Sequence, residues 1–230
     1  MEINVNQLKK SFGQNVAVDI DTLHIKEGEI LGLVGNNGAG KTTHCRLMLD
    51  LIKADEGNVT LGGIDPTKSE DWKDVTGSYI DEGFLIDFLT PEEYFEFVGK
   101  TYGTKVDLED ELTQQFMSGE VMGQKKLIRD LSAGNKQKVG IIAAMLGRPR
   151  LLVLDEPFNF LDPSSQNLLK KILTRYNEET GATILVSSHN LQHTIEISNR
   201  ITLMEHGRII KDLDNSGQAA EQELENYFNA

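Results

Sequence analysis

A parallel-sheet α/β fold is expected for this chain, because in two places an apolar strand runs into a helical pattern. In the first, residues 28–34 read as a turn and a short apolar strand, nine glycine-rich residues follow, and residues 42–52 carry Leu47, Leu49, Leu51 and Ile52 at helical spacing. In the second, Leu151–Asp155 is a continuous apolar run, as in strands covered on both faces. Residues 163–176 then form an amphipathic helix with Asp162 placed to cap it, and residues 182–187 form another buried strand. Alternating strands and helices imply crossovers, and crossovers imply parallel pairing.

The rest of the chain fits around that frame. Early apolar alternation (Ile3, Val5, Leu8, then Val16, Val18, Ile20, Leu23, Ile25) predicts antiparallel strands broken by a turn at residues 11–14. Beyond residue 90 the spacing becomes helical over residues 91–102, 108–117 and 135–146. Residues from about 84 to 147 are therefore expected as a helical subdomain, set beside an antiparallel β subdomain. At 230 residues without an internal repeat, the chain is expected to be one domain, residues 1–230.

Composition excludes some roles. The net charge is −13, from 36 acidic and 23 basic residues, so the surface as a whole repels phosphate backbones and no nucleic-acid partner is expected. Cys45 is the sole cysteine, which rules out an internal disulfide or a cysteine-built zinc site and suits a reducing compartment such as the cytoplasm. Four of the five histidines, His24, His44, His193 and His206, show no metal-ligand grouping and are read as surface or packing residues. The N-terminus lacks the basic and apolar regions of a signal peptide, and no apolar run is long enough to cross a bilayer. A membrane role would thus need its span from another chain. Charge is also uneven: seven basic residues and one acid lie between Lys125 and Arg150, whereas five acids and no base lie from Asp212 onward. The basic run is either a solvated face or a surface that meets a phosphate.

The glycine-rich stretch carries the chemistry. Gly35, Asn36, Asn37, Gly38, Ala39, Gly40, Lys41, Thr42 and Thr43 fit G-x-x-x-x-G-K-[ST] without a gap, with a strand before and a helix after. Its backbone N–H groups can converge on phosphate oxygens, and the following helix aims its positive end there. Lys41 is expected along the β- and γ-phosphates of a nucleoside triphosphate, and the Thr42 hydroxyl on its Mg²⁺. The apolar run from Leu151 ends in Asp155 and Glu156, where open α/β sheets put their ligand chemistry. Asp155 is expected to hold Mg²⁺ through water, and Glu156 to orient or deprotonate a water that attacks the γ-phosphate.

Leu131-Ser132-Ala133-Gly134-Asn135-Lys136-Gln137 resembles the LSGGQ signature of ATP-binding cassette (ABC) proteins. The resemblance covers nearly the whole chain, since the phosphate loop, this signature, Asp155-Glu156, the turn at residues 159–162 and His189 occur in the family's order. It implies a P-loop NTPase of ABC ATPase type that binds ATP and Mg²⁺. It further implies head-to-tail pairing with a second cassette, read as a second copy of this chain, in which Ser132 and Gly134 close on the partner's ATP. Phe12 matches the family's adenine-stacking aromatic, Glu82 the position of its Mg²⁺-reaching Gln, and His189 the histidine that holds the γ-phosphate and the attacking water. The implied role is the ATPase subunit of a bacterial export-type transporter, peripheral on the cytoplasmic face of the membrane, which drives a separate transmembrane permease. A soluble ABC ATPase acting on ribosomes or DNA is the alternative. The tandem cassettes, long coiled coils and zinc modules of such relatives are absent from this sequence. Departures from the family pattern are Ala133 for glycine, Asn135 for glutamine, and a bulky Phe160 in a turn that is usually small.

Overall fold

The computed structural model describes residues 1–118, 121–215, 220–221 and 223–224. It contains two sheets. Strands β1 (Ile3–Phe12), β2 (Asn15–Ile25) and β4 (Glu56–Leu61) form an antiparallel sheet in the order β2-β1-β4. The second sheet has six strands: β3 (Ile30–Val34), β5 (Thr76–Tyr79), β6 (Leu151–Asp155), β7 (Thr183–Ser188), β8 (Arg200–Glu205) and β9 (Arg208–Asp214), in the order β5-β6-β7-β3-β8-β9. All its pairings are parallel except the β8–β9 hairpin. Strands β3, β6 and β7 are buried along their whole length, as their unbroken apolar runs predict.

Helices cover this sheet and fill the predicted insertion. Helix α1 (Lys41–Met48) follows β3; α2 (Pro91–Thr101), α3 (Glu111–Phe116) and α4 (Ala133–Met145) lie between β5 and β6; α5 (Pro163–Thr180) joins β6 to β7; and α6 (Leu191–Ile197) joins β7 to β8. Two apolar clusters hold the layers together. One joins Phe95, Phe116, Ile128 and Val139 of the helical region to Leu152, Leu154, Ile184 and Val186 of the sheet. The other packs Ile3, Val5, Val18 and Leu61 of the antiparallel sheet on Leu31, Leu33, Met48 and Val153. The helical and β subdomains are thus continuous with one sheet, at opposite faces of its strands.

Local chemistry sets the ends of the helices, and there two expectations need correction. The helix predicted over residues 42–52 stops at Met48, since Asp50 adopts φ +50° and the Leu51 N–H reaches back to the Arg46 carbonyl at 2.9 Å. The one predicted over 108–117 starts only at Glu111, because the Asp110 carboxylate accepts from the N–H groups of Leu112 and Thr113. Asp162 caps α5 as expected, accepting from Ser164 and Ser165. The acidic C-terminal run enters β9 at Asp212, but Glu225 and all that follows lie outside the described residues.

Candidate functional site

Strands β3, β6 and β7 are neighbours and end on the same side of the sheet, so three sequence-distant segments meet there. The phosphate loop leaves β3 and enters α1 through Gly40 at φ +110°. A side chain at Gly40 would put its Cβ 2.3 Å from the Ala17 carbonyl, so backbone angle and packing both demand glycine. Lys41, the next residue, is buried. Its Nζ donates to the carbonyls of Gly35 (2.7 Å) and Asn36 (3.2 Å) and pairs with Glu156 Oε1 at 3.1 Å.

Asp155 ends β6 opposite Ser187 of β7. One of its carboxylate oxygens accepts from the Ser187 hydroxyl and the other from the Thr42 hydroxyl. Burial pushes its carboxyl pKa up, and those two hydroxyl donors act against the shift. Glu156 turns the other way, at φ +49°, a region that L side chains seldom occupy. Its N–H donates to both the Ser187 hydroxyl (3.0 Å) and the Ser187 carbonyl (3.2 Å). Its side chain lies between Lys41 and His189, whose Nδ1 is 2.8 Å and whose backbone N–H is 3.2 Å from Oε2.

The exposed ring of Phe12, at the end of β1, completes an open cleft of about 320 Å³ with Ala17, Gly38, Lys41, Thr43 and Glu156. An aromatic face, a loop of backbone donors, a lysine and a carboxylate therefore share one cavity, and His189 meets that carboxylate from its far side at 2.8 Å. As to a cation, Thr42 and Asp155 bring hard oxygen donors into contact, the donor type that suits Mg²⁺. Glu82 does not join them: its Oε2 pairs with Lys136 Nζ of α4 at 3.3 Å. Neighbouring Asp81 caps the turn that follows it, accepting from Gly83, and pairs with Arg46 at 2.9 Å.

The signature segment opens α4 outside that cleft. Ser132 and Ala133 are exposed, and the Ser132 hydroxyl accepts from the Asn135 N–H as an N-cap. Gly134 lies under the Phe160 carbonyl, where an added Cβ would approach to 2.5 Å. Phe160 itself is 77% exposed and sits at φ +59°. Of the basic run, Lys136 pairs with Glu82 and Arg150 with Glu27 at 2.7 Å, so these two are engaged within the chain.

Ser187 and Gln137 were not singled out from sequence. Ser187 could have been found from register, since it pairs with Asp155 across adjacent strands. Gln137 carries no such signal; its amide N–H reaches the Glu156 carbonyl at 3.0 Å only because α4 folds against the end of β6. Among the histidines, His44 is fully buried with neither ring nitrogen hydrogen-bonded, and burial lowers its pKa to about 4.

The sequence model of the ABC transporter family matches residues 18–159. The chain belongs to the ABC transporter family. It is an ATP-binding cassette and an ATPase. It is 34% identical over 219 residues to the bacitracin transport ATP-binding protein BcrA of Enterococcus faecalis, covering 92% of this chain and 69% of that one. It is 32% identical to the tungstate uptake system ATP-binding protein TupC of Peptoclostridium acidaminophilum (91% and 97%) and 29% identical to the lantibiotic transport ATP-binding protein SrtF of Streptococcus pyogenes (99% and 96%). Among solved structures, the dimeric MJ0796, a bacterial ABC transporter cassette, superposes with a TM-score of 0.81 at 23% identity, over 94% of this cassette and 99% of that chain. The same MJ0796 cassette in a post-hydrolysis state bound to ADP and Pi gives 0.79. These two establish the fold.

Proposed function

We propose that this cassette is the motor subunit of an exporter, closing on ATP against a second copy of itself and driving a separate membrane permease from the cytoplasmic face. The cleft where Phe12, the phosphate loop and Glu156 converge, with His189 bonded to Glu156, carries the proposal. In this reading Phe12 stacks on adenine, and the N–H groups from Gly35 to Thr43 take the phosphates. Lys41 moves from the Gly35 and Asn36 carbonyls onto the β- and γ-phosphates. Mg²⁺, held by Thr42 and Asp155 and reached by Glu82 once it leaves Lys136, would supply charge neutralisation on the phosphate oxygens.

Glu156, released from Lys41 by the incoming phosphate, takes the proton of the attacking water, and His189 keeps its carboxylate aimed. The γ-phosphate is covered from the other side by the partner's exposed Ser132 and half-buried Gly134 at the start of a helix. Most of the rate then comes from positioning and preorganised charge rather than covalent chemistry.

The permease reading draws support from an apolar surface. Phe84, Phe88 and Leu51 are exposed, and Phe84 and Leu51 border a cleft of about 280 Å³ between β5, α2 and α4. Among the described residues no helix is long and apolar enough to cross a membrane. For export, the names of the bacitracin and lantibiotic transport relatives lend support, while the tungstate uptake relative stands on the other side. The net charge of −13 supports a partner other than nucleic acid.

The test is copurification from membranes followed by reconstitution of the complex in vesicles. A permease that comes down with the chain, and ATP-driven movement away from the face bearing the cassette, is the expected result. Recovery with ribosomes or DNA, or movement toward the cassette face, would overturn it.

A further inference from the structure

Gln137 is a polar side chain only 2% exposed, and its amide N–H donates to the Glu156 carbonyl at 3.0 Å. It stands on the first turns of α4, the same helix whose exposed N-terminus presents Ser132. Three contacts of those turns all lead to the chain's own catalytic end of the sheet: Gln137 to Glu156, Gly134 beneath the Phe160 carbonyl, and Lys136 to Glu82. Of these the first bears most directly on the chemistry, because the Glu156 backbone is held in a strained left-handed conformation.

That peptide is fixed from both sides. Ser187 receives its N–H, while Gln137 and the Asn159 N–H (3.2 Å) donate to its carbonyl. Loosening the carbonyl lets the backbone relax toward ordinary φ, which swings the carboxylate away from Lys41 and His189. A small misplacement of a general base is costly to rate and leaves nucleotide binding untouched.

We infer that Gln137 is a positioning residue for Glu156, so that the helix whose tip covers one ATP also sets the aim of the base acting on the other. The inference rests on the proposed roles of Glu156 and the signature. It predicts a specific split between closure and chemistry.

Gln137→Met keeps the volume and removes the donor. In the full chain, kcat should fall about tenfold while the KM for ATP stays within about twofold. In a Glu156→Gln background, ATP-dependent dimerisation followed by sedimentation should be the same with and without Gln137→Met. A residue that merely shapes the signature would do the reverse, shifting the dimerisation curve as well as the rate. Gln137→Asn, which retains a polar amide but withdraws it by one methylene, should show the same fall in kcat and serves if the methionine variant does not fold. Unchanged kcat in either folded variant, or weakened dimerisation, would overturn the inference. A wild-type chain without turnover, or a Glu156→Gln chain that stays monomeric in ATP, would instead overturn the reading beneath it, and the inference with it.

Discussion

The phosphate loop and the signature segment are both glycine-containing turns that open a helix, yet the structure leaves them in opposite states. Around the loop every group of the constellation is already engaged: Lys41 with two carbonyls and Glu156, Thr42 and Ser187 with Asp155, and His189 with Glu156. At the signature, Ser132 and Ala133 face outward, and the Ser132 hydroxyl accepts from the Asn135 N–H as a helix cap. The first region is assembled from side chains and carbonyls of one chain. The second leaves its first two helix-opening residues exposed. Reactivity should therefore be lost abruptly by changes in the first region, and graded by changes in the second.

The largest effect should come from Glu156→Gln. The amide keeps the shape and can still meet Lys41 and His189, but it cannot take a proton from water. Turnover should drop by about a hundredfold to ten-thousandfold while ATP still binds and holds a closed dimer. Phosphate release and sedimentation on the same sample measure both. Retained turnover would move the base role elsewhere and end the contrast between the two regions at its strongest point.

Next is Lys41→Ala, which removes a cation with three engaged partners. Two charge-assisted bonds to phosphate oxygens are worth several kcal/mol together, so ATP affinity should fall by at least about a hundredfold. Titration with a fluorescent nucleotide tests it. Affinity within about twofold of the parent would mean that the loop grips through its backbone alone.

The preassembled region should also have a pH limit, through His44 one turn into α1. Its pKa is about 4 in the folded protein, against about 6.5 when unfolded. Between those values the unfolded chain binds a proton that the folded chain refuses, so stability falls as pH falls. From pH 7 to pH 5 the loss is about 2 kcal/mol for this residue. His44→Leu should remove that part of the slope, seen as a smaller drop in urea midpoint between the two pH values. Equal slopes would mean that the ring finds a partner on protonation.

How much of this could be read from sequence follows the same division. Motifs with short, fixed spacing gave the phosphate loop, the Asp155-Glu156 strand end and the signature, and the three insertion helices were placed to within a few residues. Strands β4, β5, β8 and β9 were not anticipated. The β8–β9 hairpin did carry a local signal, as His206 and Gly207 both take positive φ in a two-residue turn between a buried strand and an alternating one. β5 offered none: Thr76–Tyr79 is four residues long and contains a glycine, and it is a strand because it pairs with β6. Ser187 and Gln137 were invisible for a related reason. Their importance lies in what the fold sets beside them, and spacing along the chain does not encode that.

The smallest effect should lie in the outward-facing region, at its two departures from the family pattern. Ala133 places an exposed methyl beside Ser132, and Asn135 ends one methylene short of a glutamine. Neither residue lines the cleft formed by Phe12, the phosphate loop and Glu156, so restoring the family residues with Ala133→Gly and Asn135→Gln should leave ATP binding to the single chain unchanged. What it should alter is closure. Removing the methyl clears space for the partner's nucleotide, and the longer amide adds reach without adding charge. Contacts of that kind are worth on the order of 1 kcal/mol, so the double variant should dimerise at an ATP concentration a few-fold lower. Sedimentation against ATP concentration in the Glu156→Gln background reads this without hydrolysis. Superimposable curves would show that the outward region tolerates both departures, and that its gain over the loop region is latitude in sequence rather than a weakened grip.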